Sequence, residues 1–485
     1  MAKSADIATS TEYPAGLAPD SPDTLPRVLN ASHATAIVVG TIIGSGIFLV
    51  PQEMMRAVGS SAMVYSVWIA GGLLSLFGAM TYAELGAMRP QTGGEYVYLR
   101  DAYGDLPAFL YMWTWFAVAK PASIASVTSG LARVLGTFSV FHFLDTPALH
   151  LPLTILWSQL FAIAATWLIT GLNYLGIKKA GDFQLVFTWL KVVLVLVIVG
   201  FCFFGGTWSI GIAGRAGAHG SAANFASSFT GAQHGIAGFM VALIAALWAY
   251  DGWNDLTMVA GEVRRPQRNL PIALIAGVGI VGVLYMATNA AIQYVLPAAV
   301  IANQPSPAAY AMGLVAGHWG AALVSIGMAV SIFVTLNGTT MSGARIPFAA
   351  ARDGLFFRQL AHVHPRFQTP STALILQATL SSLLLLAIGK FQSLFSLAIF
   401  AEWFFYALTA STIFVFRRRY PAATRPYSVW GYPIIPVLFI ASALVLLVFS
   451  FADQPRNSLI GTAIILLGIP LHLLFRRHQT HKQAL

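Results

Sequence analysis

Three glycines and two hydroxyl residues interrupt an apolar stretch near the start of the chain, Val39-Gly40-Thr41-Ile42-Ile43-Gly44-Ser45-Gly46-Ile47-Phe48. Such a glycine cluster indicates locally unwound backbone, which persists at membrane depth only where it lines a cavity or is buried in protein. A break here exposes N–H groups at 45–47, which attract an anion, and carbonyls near Thr41 and Ile42, which attract a cation. An α-amino acid offers one carboxylate and one ammonium at this separation. The alternative is that the glycines form a close helix-packing face.

A second apolar stretch is broken in the same way and carries two acids, Ala246-Leu247-Trp248-Ala249-Tyr250-Asp251-Gly252-Trp253-Asn254-Asp255. An ionisable side chain inside a span costs about 2.5–3.5 kcal/mol on insertion scales, so Asp251 and Asp255 are functional candidates. Their spacing of four would place both on one face of an unbroken helix. The alternative is a local role, with Asp251 as the N-cap of the second half-helix and Asp255 bonded within the break. Trp248 is either core packing or a lid over a bound ligand.

Two lysines also fall inside apolar runs. Lys191 has no acid close to it in sequence, so we expect it to point into the protein and bond backbone carbonyls or a carboxylate. A fixed ammonium there would do what a bound sodium ion does. The alternative is a lysine that extends along its helix to the membrane surface. Lys120, followed by Pro121, is similar, but the proline already loosens the local hydrogen bonding.

The composition places these residues in a membrane protein. Of the 485 residues, 57% are apolar and 9% are charged, whereas about a quarter of the residues in a soluble domain are charged. With 43 Gly and 24 Pro, this composition excludes a soluble globular domain, a coiled coil, a disordered chain and a collagen-like repeat. We therefore predict an all-α protein that crosses the membrane many times.

Twelve apolar runs are each long enough to cross about 30 Å of hydrocarbon. These predicted spans 1 to 12 lie near 34–57, 62–88, 106–136, 153–172, 183–206, 236–260, 271–295, 312–341, 371–389, 393–416, 432–452 and 458–475. With the N-terminus placed inside, twenty of the 27 lysines and arginines fall in inner segments and five in outer ones. This bias predicts that both termini are cytoplasmic. It also accounts for most of the net charge of +10 and argues against a nucleic-acid partner.

The two broken stretches indicate an internal repeat. Ser45 and Asp251 are 206 residues apart, and Lys191 of span 5 and Glu402 of span 10 are separated by a similar 211. An odd number of spans per repeat inverts the second copy in the membrane. We therefore predict 12 transmembrane helices, with helices 1–5 and 6–10 as inverted repeats, helices 11 and 12 appended, and helices 1 and 6 broken. The predicted segments are a cytoplasmic tail (1–31), the first repeat with helices 1–5 (32–210), the second repeat with helices 6–10 (211–427), helices 11–12 (428–475) and a cytoplasmic C-terminal tail (476–485).

An inner loop carries Arg345, Arg352 and Arg358 at spacings close to whole helical turns, with phenylalanines and Leu355 between them. This pattern predicts an amphipathic helix lying on the inner membrane surface. No phosphate-binding loop, metal-ligand spacing or nucleophile motif is present in the sequence, so we expect neither an enzyme nor a bound cofactor or metal.

Taken together, these stretches resemble the L-type amino acid transporter family of the amino acid, polyamine and organocation superfamily, in a bacterial member. The similarity runs from about residue 32 to the end of span 12. It is carried by Gly44-Ser45-Gly46-Ile47-Phe48, by Tyr82-Ala83-Glu84-Leu85-Gly86 with Gly93-Gly94-Glu95-Tyr96, by Lys120-Pro121, and by Tyr250-Asp251-Gly252-Trp253-Asn254 leading to Glu262, Pro266 and Arg268-Asn269-Leu270-Pro271.

The resemblance implies an all-α five-plus-five inverted repeat (LeuT-type) fold and sodium-independent transport of L-amino acids, usually by one-for-one exchange. Ser45 and Gly46 match the family's carboxylate-binding amides, and Ile42, Trp248 and Ala249 match its ammonium-binding carbonyls. Trp248 also matches its aromatic gate, and Lys191 matches the lysine that occupies the place of sodium. The full set of expected substrate-binding residues is Ile42, Ile43, Gly44, Ser45, Gly46, Trp248, Ala249, Asp251 and Asn254, and the candidates for the pocket around the substrate side chain are Lys120, Ser123 and Glu402.

Two departures from the family pattern change the expectations. Members that pair with a glycoprotein heavy chain use a cysteine between spans 3 and 4, and residues 137–152 contain none. We therefore expect no disulfide-linked heavy chain, and a monomer or weak homo-oligomer. Glu402 stands where relatives mostly carry a small or amide residue, which makes the pocket more acidic and the substrate class open.

The sequence therefore predicts an alternating-access amino acid exchanger, multi-pass in the cytoplasmic membrane of a bacterium. The alternative within transport is a proton-coupled symporter in which Lys191 or Glu402 takes the proton. We expect neutral substrates with basic ones accepted if Lys120 pairs with a pocket acid, and preferred basic substrates if the acids remain unpaired.

Overall fold

The computed structural model describes residues 25–136, 138–150, 154–205, 220–388, 391–453 and 455–483. The predicted N-terminal tail lies outside these residues over 1–24. Two of the five basic residues predicted to lie on the outer side, Arg215 and Lys390, are also outside them. The first half of the described chain forms helices α1 (Ala31–Ile42), α2 (Gly46–Val58), α3 (Ser61–Met88), α4 (Glu95–Tyr103), α5 (Asp105–Thr114), α6 (Lys120–Leu135), α7 (Trp157–Tyr174) and α8 (Ile177–Gly200). A short antiparallel hairpin joins α6 to α7, with strands β1 (Pro147–His150) and β2 (Thr154–Leu156).

The second half is likewise helical. It forms α9 (Gly235–Ala249), α10 (Asp255–Met258), α11 (Pro266–Val295), α12 (Ala298–Asn303), α13 (Pro307–Gly343), α14 (Arg345–Arg352), α15 (Ser371–Ala387), α16 (Phe391–Arg419), α17 (Ile434–Asp453) and α18 (Pro455–Gln483). Helix α18 therefore continues through most of the predicted C-terminal tail.

Long apolar helices make this a multi-pass membrane protein. Six helical segments of the described chain have the length and composition to cross a membrane, and α1 with α2 makes a seventh if this bent pair is one span. The other predicted spans overlap shorter or more polar helices, such as α7, α9 and α15. Helix α13 carries a sharp kink at Gly317, which has a φ of 64°, a value that glycine adopts without steric cost.

Both glycine-containing stretches are broken, and the two breaks lie side by side. Helix α1 ends at Ile42 and α2 begins at Gly46, with 41° between their axes. Helix α9 ends at Ala249 and α10 begins at Asp255. Helix α2 packs along α9, while α1 packs against α10, α11 and α8. The Thr41 hydroxyl donates to the Gly252 carbonyl across the two breaks, at 2.8 Å.

The predicted surface helix at the inner loop is wrong over its first two turns. Helix α14 is buried from Arg345 to Ala351. The Arg345 guanidinium donates to both carboxylate oxygens of Glu262, at 2.9 and 3.1 Å, and both side chains are fully buried. A bidentate pair of this kind satisfies charges that water would otherwise solvate. The seven-residue spacing of Arg345 and Arg352 therefore does not mark a membrane-facing stripe, because Arg345 belongs to an internal ion pair.

Candidate functional site

A cavity lies where the two breaks meet. Helices α1, α2, α6, α9, α13 and α16 and the α9–α10 break contribute to it. Its lining comprises Thr41, Ile42, Gly44, Ser45, Gly46, Lys120, Ser123, Ser126, Val127, Gly130, Trp248, Ala249, Asp251, Gly252, Asp255, Ile332, Thr335, Thr339 and Glu402. Of the predicted site residues, Ile43, Asn254 and Lys191 are not part of this lining.

The start of α2 presents backbone to the cavity. The N–H groups of Gly46 and Ile47 have no carbonyl within the helix to pair with, whereas the Phe48 N–H donates to the Ser45 carbonyl at 3.1 Å. Ser45 is partly exposed to the cavity. A Cβ atom added at Gly46 would lie 3.2 Å from the Cβ of Ala249 and 3.6 Å from the Trp248 ring. The absence of a side chain at Gly46 is therefore what lets the two broken helices approach each other here.

The packing alternative for the glycines holds one turn earlier. A Cβ at Gly40 would lie 2.3 Å from Gln184 Nε2 and 2.5 Å from Thr188 Oγ1 on α8, whereas at Gly44 the nearest atom would be 3.7 Å away. Gly40 thus serves close packing of α1 against α8. Gly44 and Gly46 belong to the break and the cavity.

The carbonyls at the ends of α1 and α9 converge on one hydroxyl. Tyr285 of α11 places its OH 2.7 Å from the Ala249 carbonyl and 3.1 Å from the Ile42 carbonyl. These are two of the carbonyls expected to bind an ammonium group. Tyr285 is absent from the predicted site, because one tyrosine in an apolar run has no local feature that distinguishes it from core packing.

We expect Tyr285→Phe to destabilise the ligand-free protein by about 1 kcal/mol, because it leaves the two buried carbonyls without their donor. A bound ammonium would supply the missing hydrogen bonds, so the thermal shift caused by a bound amino acid should be larger in the variant than in the wild type. Thermal unfolding in detergent with and without amino acid measures both effects. Tyr310→Phe, at an exposed tyrosine, is the control; an equal ligand shift in wild type and Tyr285→Phe would contradict this role.

Lys191 ties α8 to the end of α1. Its Nζ donates to the carbonyls of Gly40 and Ile43, at 2.6 Å each, and its side chain is buried. The alternative of a lysine reaching the membrane surface is therefore wrong. Two hydroxyls of α13 also donate to these carbonyls, Ser331 to Ile43 at 2.8 Å and Thr335 to Gly40 at 3.2 Å. Ile43 consequently turns its carbonyl away from the cavity and toward Lys191.

Lys120 pairs with the second acid of the α9–α10 break. Its Nζ lies 2.5 Å from Asp255 Oδ1, and both side chains are buried. A π-helical turn, Trp115–Ala119, immediately precedes Lys120; Pro121 has no N–H to give to the helix, and such turns relieve the resulting mismatch. The Asp255 side chain therefore bonds to α6. The alternative, in which Asp255 bonds within its own break, is wrong.

Asp251 does not cap the second half-helix. Helix α10 starts three residues too late, at Asp255, with Asn254 at its N-cap position and no side-chain cap bond. Asp251 is half-buried at the cavity and its Oδ1 accepts from the Tyr406 hydroxyl of α16, at 2.8 Å. Asn254 lies behind it and is buried. The capping alternative is therefore wrong for Asp251.

The other candidates for the pocket around the substrate side chain also lie in the cavity lining. Ser123 lies one turn after Lys120 on α6, and Glu402, which is largely buried, faces the same space from α16. Trp248 stands at the end of α9, partly exposed to the cavity. The cavity thus combines one ammonium with three carboxylates, and Lys120 neutralises only Asp255.

Known proteins with similar sequences define the class of this protein. A profile described as amino acid permease matches residues 29–473, so the chain belongs to the amino acid permease family. The mouse b(0,+)-type amino acid transporter 1 is 32% identical over 90% of this chain and 86% of its own length. The serine/threonine exchanger SteT of Bacillus subtilis is 31% identical over 92% and 96%, and the human cystine/glutamate transporter is 30% identical over 93% and 85%. Within the family the chain is an L-type amino acid transporter, which confirms the resemblance found in the sequence.

Proposed function

We propose that this protein moves L-amino acids across the cytoplasmic membrane of a bacterium by alternating access, without sodium, as a one-for-one exchanger. The observation that carries the proposal is the meeting of two helix breaks in one cavity. Amides at the start of α2 would bind the carboxylate, and the carbonyls of Ile42, Trp248 and Ala249 would bind the ammonium. Lys191 would stand where sodium-coupled relatives of the fold bind their ion.

The proposed architecture is twelve spans in the five-plus-five inverted repeat, with repeats at 32–210 and 211–427 and both termini cytoplasmic. The relation of α1 and α2 to α9 and α10 supports it, because each pair is separated by a glycine-containing break and the two pairs pack against each other. In this orientation the Arg345–Glu262 pair lies toward the cytoplasm. The cavity lining follows α6 from Lys120 to Gly130, toward the proposed outer side.

Exchange and proton symport differ in what must be present on the far side of the membrane. Exchange is supported by the relative whose name states a serine/threonine exchanger. The alternative is proton symport, in which Lys191 or Glu402 takes the proton. The test compares uptake of labelled amino acid into liposomes preloaded with unlabelled amino acid and into empty liposomes under an imposed pH gradient. Uptake into empty liposomes that is driven by the gradient would refute obligatory exchange.

Substrate selection is proposed to fall to the side chains around the cavity. Because Lys120 is held by Asp255, the substrate side chain would meet Ser123, Asp251 and Glu402. We propose neutral amino acids as substrates, with basic ones accepted through these acids. The absence of cysteine in 137–152 supports transport without a disulfide-linked heavy chain.

We expect excess arginine to compete with labelled alanine or leucine uptake in the wild type and much less in Asp251→Asn. A charge-assisted hydrogen bond to Asp251 is worth roughly 1.5–3 kcal/mol, or about tenfold to a hundredfold in affinity. Competition by leucine in the same variant is the control, since its side chain makes no such bond. No arginine competition in the wild type would remove basic substrates, and unchanged competition in the variant would remove Asp251 as their partner.

A further inference from the structure

Four buried or half-buried side chains connect the cavity to the short helix α4. Asp251 Oδ1 lies 2.8 Å from the Tyr406 hydroxyl. The same hydroxyl lies 3.0 Å from the Asn254 amide, and the other end of that amide lies 2.9 Å from Glu95 Oε1. These residues form a chain with a carboxyl group at each end, which we call the acid–tyrosine–amide chain. Glu95 belongs to the Gly-Gly-Glu-Tyr motif, to which the transport mechanism gives no role.

The three contacts of this chain need three hydrogens, and its central groups supply two. Tyr406 has one hydroxyl hydrogen, and the Asn254 amide can donate from its nitrogen end only. If the nitrogen faces Glu95, Tyr406 donates to the amide oxygen, and Asp251 must itself carry a hydrogen to bond Tyr406. In the other orientation of the amide, its nitrogen and oxygen exchange places, an assignment that depends on the hydrogen-bond network. The amide then donates to Tyr406, Tyr406 donates to Asp251, and Glu95 must carry the hydrogen.

Both arrangements contain the same extra proton, on Asp251 in one and on Glu95 in the other. With both carboxyls ionised, one contact between two oxygens would have no hydrogen, which is costly in a buried site. With both protonated, both ends would donate, so four hydrogens would meet three contacts and one hydrogen would have no acceptor in the chain. One proton per chain is therefore the arrangement that satisfies every contact.

The surroundings of Glu95 support a protonated form. The side chain is fully buried, and α4 lies between predicted spans 2 and 3, outside the membrane-spanning segments. Burial raises the pKa of the Glu95 carboxyl to about 7, although the Tyr111 and Asn254 side chains and the Lys120 charge oppose the shift. The titratable groups that face the chain from neighbouring elements are Tyr82 of α3, Tyr98 of α4, Tyr111 of α5, Lys120 of α6, Asp255 of α10 and Glu402 of α16.

Among these groups, Lys120 and Asp255 neutralise each other as an ion pair. The tyrosines are neutral at physiological pH. Glu402 adds negative charge or a proton of its own at the cavity, and so does not supply a cation to either end of the chain. The positive charge that acts on both Asp251 and Glu95 is that of Lys120.

We propose that the acid–tyrosine–amide chain is a binding site for a single proton, which resides on Asp251 at the cavity or on Glu95 at the inner loop. Reversal of Tyr406 and Asn254 accompanies the change of end. Because the amide does not relay a proton, Asp251 releases its proton to the cavity and Glu95 takes up a proton separately, so the chain holds one proton before and after the change. Occupation of the two ends is mutually exclusive, so the charge at the cavity and the charge at α4 are linked.

This site gives the transporter a way to accept substrates of different charge, an inference that rests on the proposed function. A basic substrate side chain next to Asp251 favours the ionised acid, and the proton is then held by Glu95. A neutral substrate leaves Asp251 protonated and Glu95 ionised. The total charge of the cavity with its substrate side chain is then the same in both cases.

Infrared difference spectroscopy of the purified, ligand-free protein in lipid tests the proton site without any transport measurement. At about pH 6, where a carboxyl with a pKa near 7 is largely protonated, Glu95→Gln and Asp251→Asn should each show one protonated carboxyl fewer than the wild type. The reason is that each amide supplies the missing hydrogen at its own end and leaves the opposite acid ionised. Asp105→Asn, at an exposed acid on α5, should leave the spectrum of protonated carboxyls unchanged.

Tyr406→Phe is the second variant, since it cuts the chain between the two acids. In the wild-type background, replacement of Asp251 by asparagine should lower the pKa of Glu95. In the Tyr406→Phe background, the same replacement should leave the pKa of Glu95 unchanged. The proposal would be overturned by a Glu95→Gln or Asp251→Asn protein that keeps every protonated carboxyl of the wild type, provided that a cooperative thermal unfolding transition shows the variant to be folded. Because the experiment uses ligand-free protein, its failure is distinct from a failure of amino acid transport.

Discussion

We expect Gly46→Val to abolish amino acid binding, with affinity reduced by roughly a hundredfold or more. Two charge-assisted hydrogen bonds from the start of α2 to a carboxylate would each contribute about 1.5–3 kcal/mol, and the valine side chain would occupy their place. The added Cβ already lies 3.2 Å from Ala249, so a branched side chain must also separate the two breaks. Ligand-induced thermal shift on purified protein measures the loss.

Gly327→Val is the matched control, because nothing lies within 4 Å of a Cβ atom at that buried glycine of α13. The control should bind amino acids as the wild type does. Unchanged affinity in Gly46→Val would place the carboxylate site elsewhere.

We expect Lys191→Ala to lower the rate of exchange by roughly tenfold or more, with the protein still folded. Hydrogen bonds from a charged group are each worth about 1.5–3 kcal/mol, and the variant loses two that join α8 to the end of α1. Ser331 and Thr335 still donate to the same two carbonyls, so the ground state is partly maintained while the tie to α8 is lost. Turnover in proteoliposomes, measured beside thermal unfolding, separates the two effects.

Lys179→Ala on the same helix is the control, because Lys179 is exposed. We also expect uptake by the wild type to be the same in sodium and in choline buffer. Stimulation by sodium would refute the assignment of Lys191 as the substitute for the ion.

The sequence predicted those features whose cause is local. Gly44 and Gly46 favour a break because glycine loses more conformational freedom than any other residue when it is held in a helix. Lys191 could be directed inward by the same local reasoning, since an ammonium at membrane depth must find partners. Which partners it finds depended on α1, 148 and 151 residues away, and no spacing along the chain encodes that distance.

For Asp251 and Arg345 the wrong expectations have one cause, which is that local reasoning relates a polar residue to its neighbours in sequence. One alternative makes Asp251 a cap for α10, yet its hydroxyl donor is Tyr406, 155 residues away. The spacing of Arg345 to Arg352 predicts a membrane surface, yet the partner of Arg345 is Glu262. In a bundle of long helices, residues distant in sequence supply most buried polar contacts, so local periodicity alone assigns such residues poorly.

The cavity assigns its two recognition tasks to different parts of the chain. In the proposed site, main-chain groups of α2, α1 and α9 recognise what every amino acid shares, while Ser123, Asp251 and Glu402 meet what distinguishes one amino acid from another. Point mutation can alter the second group freely, but it cannot remove a peptide N–H except by proline. New substrate ranges can therefore evolve by a few codon changes without rebuilding the fold, and proteins about 30% identical to this chain carry names with different substrates.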